Sequence, residues 1–178
     1  MRLNMNQEET KKALEKFRRN VVRQARQNAQ KKSSTGNLAK SITSKLNVSK
    51  NSFSLEFLLA QSKDGAPYGS FVDKGVSGKR KKYNTPYKYT NKMPPSKAFD
   101  KWTVRKGLAG RTKDGKFMSR KSLNFLIARS VFNNGIKPSL YFTKPFEKEF
   151  KKLPNLLIES FGLDAEEFVD NTIKNNFE

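Results

Sequence analysis

Ile42-Thr43-Ser44-Lys45-Leu46-Asn47-Val48-Ser49-Lys50-Asn51-Ser52-Phe53-Ser54-Leu55-Glu56-Phe57-Leu58-Leu59 is the stretch that decides the fold. Ile42, Leu46 and Val48 fall on one side of a two-residue period, and Phe53, Leu55, Phe57 and Leu59 do the same after the polar break at Ser49-Lys50-Asn51. That period places alternate side chains on one face of an extended chain, so the two runs predict a β-hairpin over about 42–60. A lone two-stranded hairpin is marginal in water, and its apolar face needs a cover.

The first helix is the nearest cover. Ala13, Leu14, Phe17, Val21 and Ala25 recur at helical spacing and predict a helix over about 7–31, with Asn6 as N-cap and Glu9 completing a capping box. Its other faces carry Lys11, Lys12, Lys16, Arg18, Arg19, Arg23 and Arg26, which read equally as a solvated face or a stripe facing DNA. After a break at 33–36, Thr35-Gly36-Asn37-Leu38 starts a short turn or helix.

Beyond the hairpin, Lys63-Asp64-Gly65 reads as a loop, and Tyr68, Phe71 and Val72 as a short helix ended by Gly75. Residues 76–95 have no sustained period and read as an extended loop ordered chiefly by neighbours in an assembly. Pro95 opens a helix with Ala98, Phe99, Trp102 and Val104 that stops at Gly107, with Trp102 in a core or an interface. Ser119 caps a helix through Leu123, Leu126, Ile127 and Val131 that ends near Gly135. Residues 136–142 are extended, and a last helical region covers about 144–177, kinked or split at Pro154 and Gly162. Phe142, Phe146, Phe150 and Leu153 are spaced as a core stripe. The expected fold is α+β: a two-layer unit in which a hairpin-based antiparallel sheet packs against long N- and C-terminal helices, plus a basic helical and loop insert.

At 178 residues the chain fits one domain, 1–178, with the insert at about 76–118 and a helical extension at about 154–178. It contains no Cys and no His, which removes disulfides, thiolate and imidazole metal sites, and every triad with a His base. The polar start has no apolar core of the signal-peptide kind, and no apolar run approaches the ~20 residues of a membrane span. The net charge is +21, which opposes self-association unless a polyanion or an acidic neighbour compensates it. Residues 74–121 hold sixteen Lys/Arg against two Asp, a net of +14, whereas residues 147–178 hold four Lys against eight acids, a net of −4. A basic middle and an acidic tail suit head-to-tail association around a ring, and equally a solvated acidic helix.

Lys79-Arg80-Lys81-Lys82-Tyr83, with Tyr87-Lys88-Tyr89 and Lys92 beyond, is the chemically suggestive stretch. Lys and Arg neutralise phosphates, and interleaved Tyr rings stack on exposed bases or pack on a neighbour. Lys79, Arg80, Lys81, Lys82, Tyr83, Lys88 and Lys92 are therefore the candidate contacts to nucleic acid or an acidic partner, made without base readout. No catalytic, cofactor or metal residues are assigned. The rival readings are a sequence-independent nucleic-acid-binding accessory protein and a Mg²⁺-dependent nuclease built on Glu56, Asp64 and Asp73, which are scattered in the sequence.

Three segments resemble, in order, the tail-completion (head–tail joining, neck) family of tailed bacteriophages. Thr35-Gly36-Asn37-Leu38-Ala39-Lys40-Ser41-Ile42 is similar to that family's TGxLxxSI lead-in to the hairpin. Ala66-Pro67-Tyr68-Gly69-Ser70-Phe71-Val72-Asp73-Lys74-Gly75 resembles its AxYAxxVExG segment, with Asp for Glu and Gly69 for the usual Ala. Gly135-Ile136-Lys137-Pro138-Ser139-Leu140-Tyr141-Phe142-Thr143-Lys144-Pro145-Phe146 is similar to the closing element before the last helix. The basic run at 79–82 and the extension after Pro154 depart from the pattern. The resemblance implies a non-enzymatic virion protein at the head–tail junction or upper tail, present in the host cytoplasm during assembly. It further implies a homo-oligomeric ring, 6- or 12-fold, that joins the portal or connector to tail proteins and surrounds genomic DNA in the channel, with no membrane and no cofactor.

Overall fold

The structure is a computed structural model that describes residues 7–32, 35–49, 52–61 and 65–177, with side chains described to residue 170. The chain divides into two compact units, one of residues 1–60 with 141–178 and one of residues 61–140.

In the first unit, helix α1 (Glu8–Lys32) buries Ala13, Leu14, Phe17, Val21, Ala25 and Ala29 along one stripe, as their spacing predicts. Glu8 and Glu9 in its first turn and Lys31 and Lys32 in its last complement the helix dipole. The expected cap, Asn6, lies outside the described residues. The first-turn amides are held from far along the chain: Asp164 accepts from Glu9 N (2.9 Å), Thr10 N (2.9 Å) and the Thr10 hydroxyl (2.7 Å). The Glu9 carboxylate pairs instead with Lys12 at 2.6 Å.

A short helix, α2 (Asn37–Lys40), buries Leu38 and Ala39 and leads to a fully buried Ile42. Strands β1 (Thr43–Ser49) and β2 (Ser52–Leu58) then pair antiparallel, with Ser44 opposite Phe57, Leu46 opposite Leu55 and Val48 opposite Phe53. Phe53, Leu55 and Phe57 face inward at half burial, while Val48 remains 53% exposed near the hairpin's end. Phe57 meets Phe17, Phe142 and Phe146 edge-on at ring separations of 6.1, 5.4 and 5.8 Å. These rings surround a buried cluster of Leu14, Phe17, Val21 and Leu153. The α+β, two-layer arrangement of a hairpin against N- and C-terminal helices is the one read from the sequence.

The C-terminal region is two helices, α6 (Thr143–Phe150) and α7 (Leu153–Phe177). The split falls at Lys151-Lys152, so Pro154 sits in the first turn of α7, where no intrahelical N–H is needed. Gly162 does not split α7; the helix continues through it, since a single glycine costs only ~1 kcal/mol in a helix interior. Phe150 stacks on Phe146 at 5.5 Å yet is 50% exposed, so it borders the core.

Two buried carboxylates tie these helices to α1. Glu149 on α6 accepts from Gln24 Nε2 (2.9 Å) and Asn20 Nδ2 (3.4 Å), and lies 3.8 Å from Lys152 Nζ. The Gln24 hydrogen bond leads the causes that hold its carboxyl below the usual carboxylate range, against burial. For Asp164, burial works against the charge, but the Thr10 hydroxyl, the Thr10 and Glu9 amides and the Lys12 ammonium together hold its carboxyl below that range. A depressed folded pKa contributes stability that is fully present above the unfolded value, ~4 for these groups, and is lost as pH falls through the folded value. Stability should therefore fall below about pH 4. Asp164→Asn with Glu149→Gln should flatten this acid limb in urea titrations from pH 6 to pH 2.5, and an unchanged limb contradicts the assignment.

In the second unit, α3 (Tyr68–Lys74) ends at Gly75, whose φ of 75° is a left-handed conformation that favours glycine. A 3₁₀ turn (Ser96–Phe99) runs into α4 (Asp100–Arg105). Helix α5 (Arg120–Asn134) starts where Ser119 Oγ accepts from Ser122 N (3.2 Å) and ends at Gly135, as its sequence predicts. The buried seam between α4 and α5 is polar: the Thr103 hydroxyl lies 3.1 Å from Asn124 Oδ1, and Asn124 Nδ2 donates to Asp100 Oδ1 at 3.2 Å. Trp102 is 38% exposed rather than in the core, because six-residue α4 turns Thr103 inward instead.

Candidate nucleic-acid interface

The basic run is built on the carboxyl end of α5. Val76 and Ile136 exchange backbone hydrogen bonds at 2.9 and 2.8 Å, bringing residues 75–78 across the chain that leaves the helix. The crossing requires residues without a side chain. A Cβ on Gly78 would collide with the Asn133 carbonyl and Gly135 N, and one on Gly135 with the Val76 carbonyl.

From that crossing the chain turns, with Gly78 N donating to Lys81 O (2.8 Å). Lys79 N then donates to Phe132 O (3.0 Å), and Arg80 N and Lys81 N to Asn133 O (2.8 and 3.2 Å). These are last-turn carbonyls, which a helix leaves without intrahelical partners and which carry its partial negative charge. The run therefore caps α5 with its backbone and leaves its side chains outside.

Lys79, Arg80, Lys81 and Lys82 are all exposed. The Lys79 ammonium lies over the Phe132 ring (5.5 Å), that of Lys81 over the Tyr83 ring (5.7 Å), and Lys82 Nζ donates to Gly78 O (2.9 Å). Among the described residues none of the four forms an ion pair. Tyr83 is half-buried, with its backbone bound to the Ser77 hydroxyl. The Ser77–Lys88 bridge sets an exposed Lys88 alongside the same turn. Lys92 is exposed further along, and no hydrogen bond joins it to the run.

Two expectations change here. Of residues 76–95, expected to be ordered chiefly by neighbours, 76–89 make backbone hydrogen bonds within their own unit; a segment without an apolar period can still be fixed through its backbone. Tyr87 and Tyr89 pack inward, on Phe71 (4.6 Å) and Phe132 (6.2 Å), instead of offering rings for stacking on bases. Burial raises the Tyr89 hydroxyl above its ordinary pKa.

The first unit carries a second basic concavity. A groove of about 590 Å³ between α1 and β1 has Arg18, Arg19, Arg23 and Arg26 in its wall and Val22 among them. Arg26 donates to Ile42 O through Nε (3.1 Å) and Nη2 (2.8 Å), and Arg18 Nη1 to Ser44 O (3.3 Å). Lys11 and Lys12, by contrast, pair with Glu8 and Glu9. The basic face read from the sequence is thus two regions, a paired amino end and an arginine groove. The signal for the groove was the choice of Arg over Lys from residue 18 to 26.

The acids weighed for a nuclease have separate settings. Glu56 is exposed opposite Lys45 on the hairpin's outer face, Asp73 is buried at the end of α3, and Asp64 lies outside the described residues. Among the described residues no three His, Cys, Asp or Glu side chains converge as a metal site would require, and no helix is long and apolar enough to cross a membrane. Comparison with protein-family models, curated proteins and solved structures finds no match for the chain.

Proposed function

We propose that the chain is a non-catalytic structural subunit of a tailed-phage virion, forming a ring at the head–tail junction or upper tail around the DNA channel. The observation that carries the DNA contact is the turn at 79–82, whose backbone is fixed on α5 while its four cationic side chains stay exposed, without a carboxylate partner among the described residues. A preorganised cationic turn contacts phosphates with little ordering cost and without reading sequence.

The three segments that resemble the neck family are also structural joints of this fold. The first buries Leu38 and Ile42 at the lead-in to β1. The second and third are joined through Ser139 Oγ to Val72 O (2.6 Å) and through Leu140 N to Asp73 O (2.9 Å), and Val76, just after the second, pairs with Ile136 of the third. Residues of such segments are fixed by folding demands, so they bear on the architecture more than on chemistry. Portal or connector and tail proteins are the proposed neighbours, with the virion as the final location.

The test is binding to unrelated DNA duplexes across a salt series. Affinity should be independent of sequence and fall linearly in log–log form, by about 0.9 per phosphate neutralised. Salt-independent binding, or strong preference for one sequence, contradicts the reading. Metal-dependent cleavage lost on changing Glu56 or Asp73 to Ala would support the nuclease instead.

A further inference from the structure

We propose that the outward flank of α7 in one copy docks into the arginine groove between α1 and β1 of a second copy; this rests on the ring reading above.

Helix α7 presents three faces. Leu153, Leu157 and Asp164 turn toward α1, as the core cluster and the amide clasp show. On the outward side Ile158 is 73% exposed and Val169 52%, unusual values for large apolar residues on a helix that already has a packed face. Beside them Glu166 and Asp170 lie one turn apart and exposed, whereas Glu159, before them, lines a concavity with Lys16 and Asn20 of its own α1. Among the described residues the Glu166 and Asp170 carboxylates have no ion pair or hydrogen bond.

The groove has the complementary pattern. Arg19 and Arg23 are four residues apart on α1, as Glu166 and Asp170 are on α7, a rise of about 6 Å in each case. Val22 adds a single apolar side chain among the arginines. Arginine's fixed fork suits carboxylates better than a lysine ammonium does.

Gly162 is an independent indication. It lies four residues after Ile158 and four before Glu166, in mid-helix, where glycine is unfavourable. Apart from its own helix, no atom of the described residues lies within 4 Å of where its Cβ would be, so none of them requires a glycine there. A second chain approaching closely along the same face would.

The contact is between copies because α7 packs on another side of its own α1. The flank of α1 with Lys16 and Asn20 faces Asn155, Leu156 and Glu159 of α7, whereas Arg18 and Arg26 on the other flank bind the backbone of β1 and its lead-in. Each copy therefore keeps one flank and one groove free after docking, which is the head-to-tail arrangement that closes into a ring.

The test is mass photometry and sedimentation at about 0.1 M salt, where exposed charges within about 10 Å still interact. The variants are Arg19→Glu with Arg23→Glu, and Glu166→Arg with Asp170→Arg. All four side chains are exposed, so each protein should keep the wild-type helical content and melting temperature. Each alone should lose the oligomer, and an equimolar mixture should regain it because each altered groove meets an altered flank. Gly162→Met should lose it without loss of fold. If both reversals assemble like wild type, or the mixture stays dissociated, the contact is overturned while the ring reading stands. If the groove reversal weakens DNA binding and leaves the oligomer intact, the groove faces phosphates and the contact is overturned. If the wild-type chain itself never assembles, the ring reading falls and takes the contact with it.

Discussion

Phe17→Ala should destabilise the first unit by about 3–5 kcal/mol, the cost of removing a buried aromatic side chain and leaving a cavity. Phe17 is 4% exposed and meets Phe57 at 6.1 Å and Phe146 at 5.9 Å, so one ring joins α1, β2 and α6. Against a total stability of about 5–15 kcal/mol, this removes a large share. Leu55→Ala provides the graded comparison. Leu55 is half-buried on the hairpin's inner face, so its loss should lie near the lower end of the aliphatic range, about 2 kcal/mol. Both follow from urea titrations read by circular dichroism. A loss below about 0.5 kcal/mol for either is the behaviour of a surface residue and contradicts the packing described.

Changing Lys79, Arg80, Lys81 and Lys82 together to Ala should lower DNA affinity on the order of a hundredfold near 0.1 M salt and reduce the log–log salt slope by about 3.6 if all four meet phosphates. The fold should survive, because the α5 carbonyls are held by the run's backbone amides, which alanine retains. The lost contacts over Phe132 and Tyr83 are exposed cation–π pairs worth only ~0.5–1 kcal/mol each. Fluorescence anisotropy with duplex DNA, alongside thermal melting, separates binding from folding. Unchanged affinity and slope contradict a phosphate contact, and failed assembly with intact DNA binding assigns the run to a protein interface.

The hairpin, α1, the Ser119 cap and the Gly75 and Gly135 stops were legible because each rests on local chemistry: a period of two or 3.6, a hydroxyl before a helix, a glycine after one. The Asp164 clasp was not, because its partners lie 154 and 155 residues away and an aspartate inside a helical pattern reads as solvated. The capping role of residues 79–81 was hidden for another reason. It uses amides, which every residue but proline has, so the sequence displays the lysines and conceals the backbone that positions them. Of the two settings read for Trp102, core or interface, the core one fails because α4 is too short to present a full apolar face and the inward seam is polar Thr103 and Asn124. The candidate basic residues could be named from charge alone. Dividing the basic face of α1 into a paired amino end and an arginine groove needed the pairing of Lys11 and Lys12 with Glu8 and Glu9 and of Arg18 and Arg26 with β1 and its lead-in.

Electron microscopy of the purified chain at about 0.1 M salt, with and without duplex DNA and with particle masses from mass photometry, tests the ring reading most directly. The prediction is closed rings of about six or twelve copies with a central opening that admits duplex DNA, their masses whole multiples of the 20.4 kDa chain. A single 20.4 kDa species at every concentration, with DNA or without it, would contradict the account.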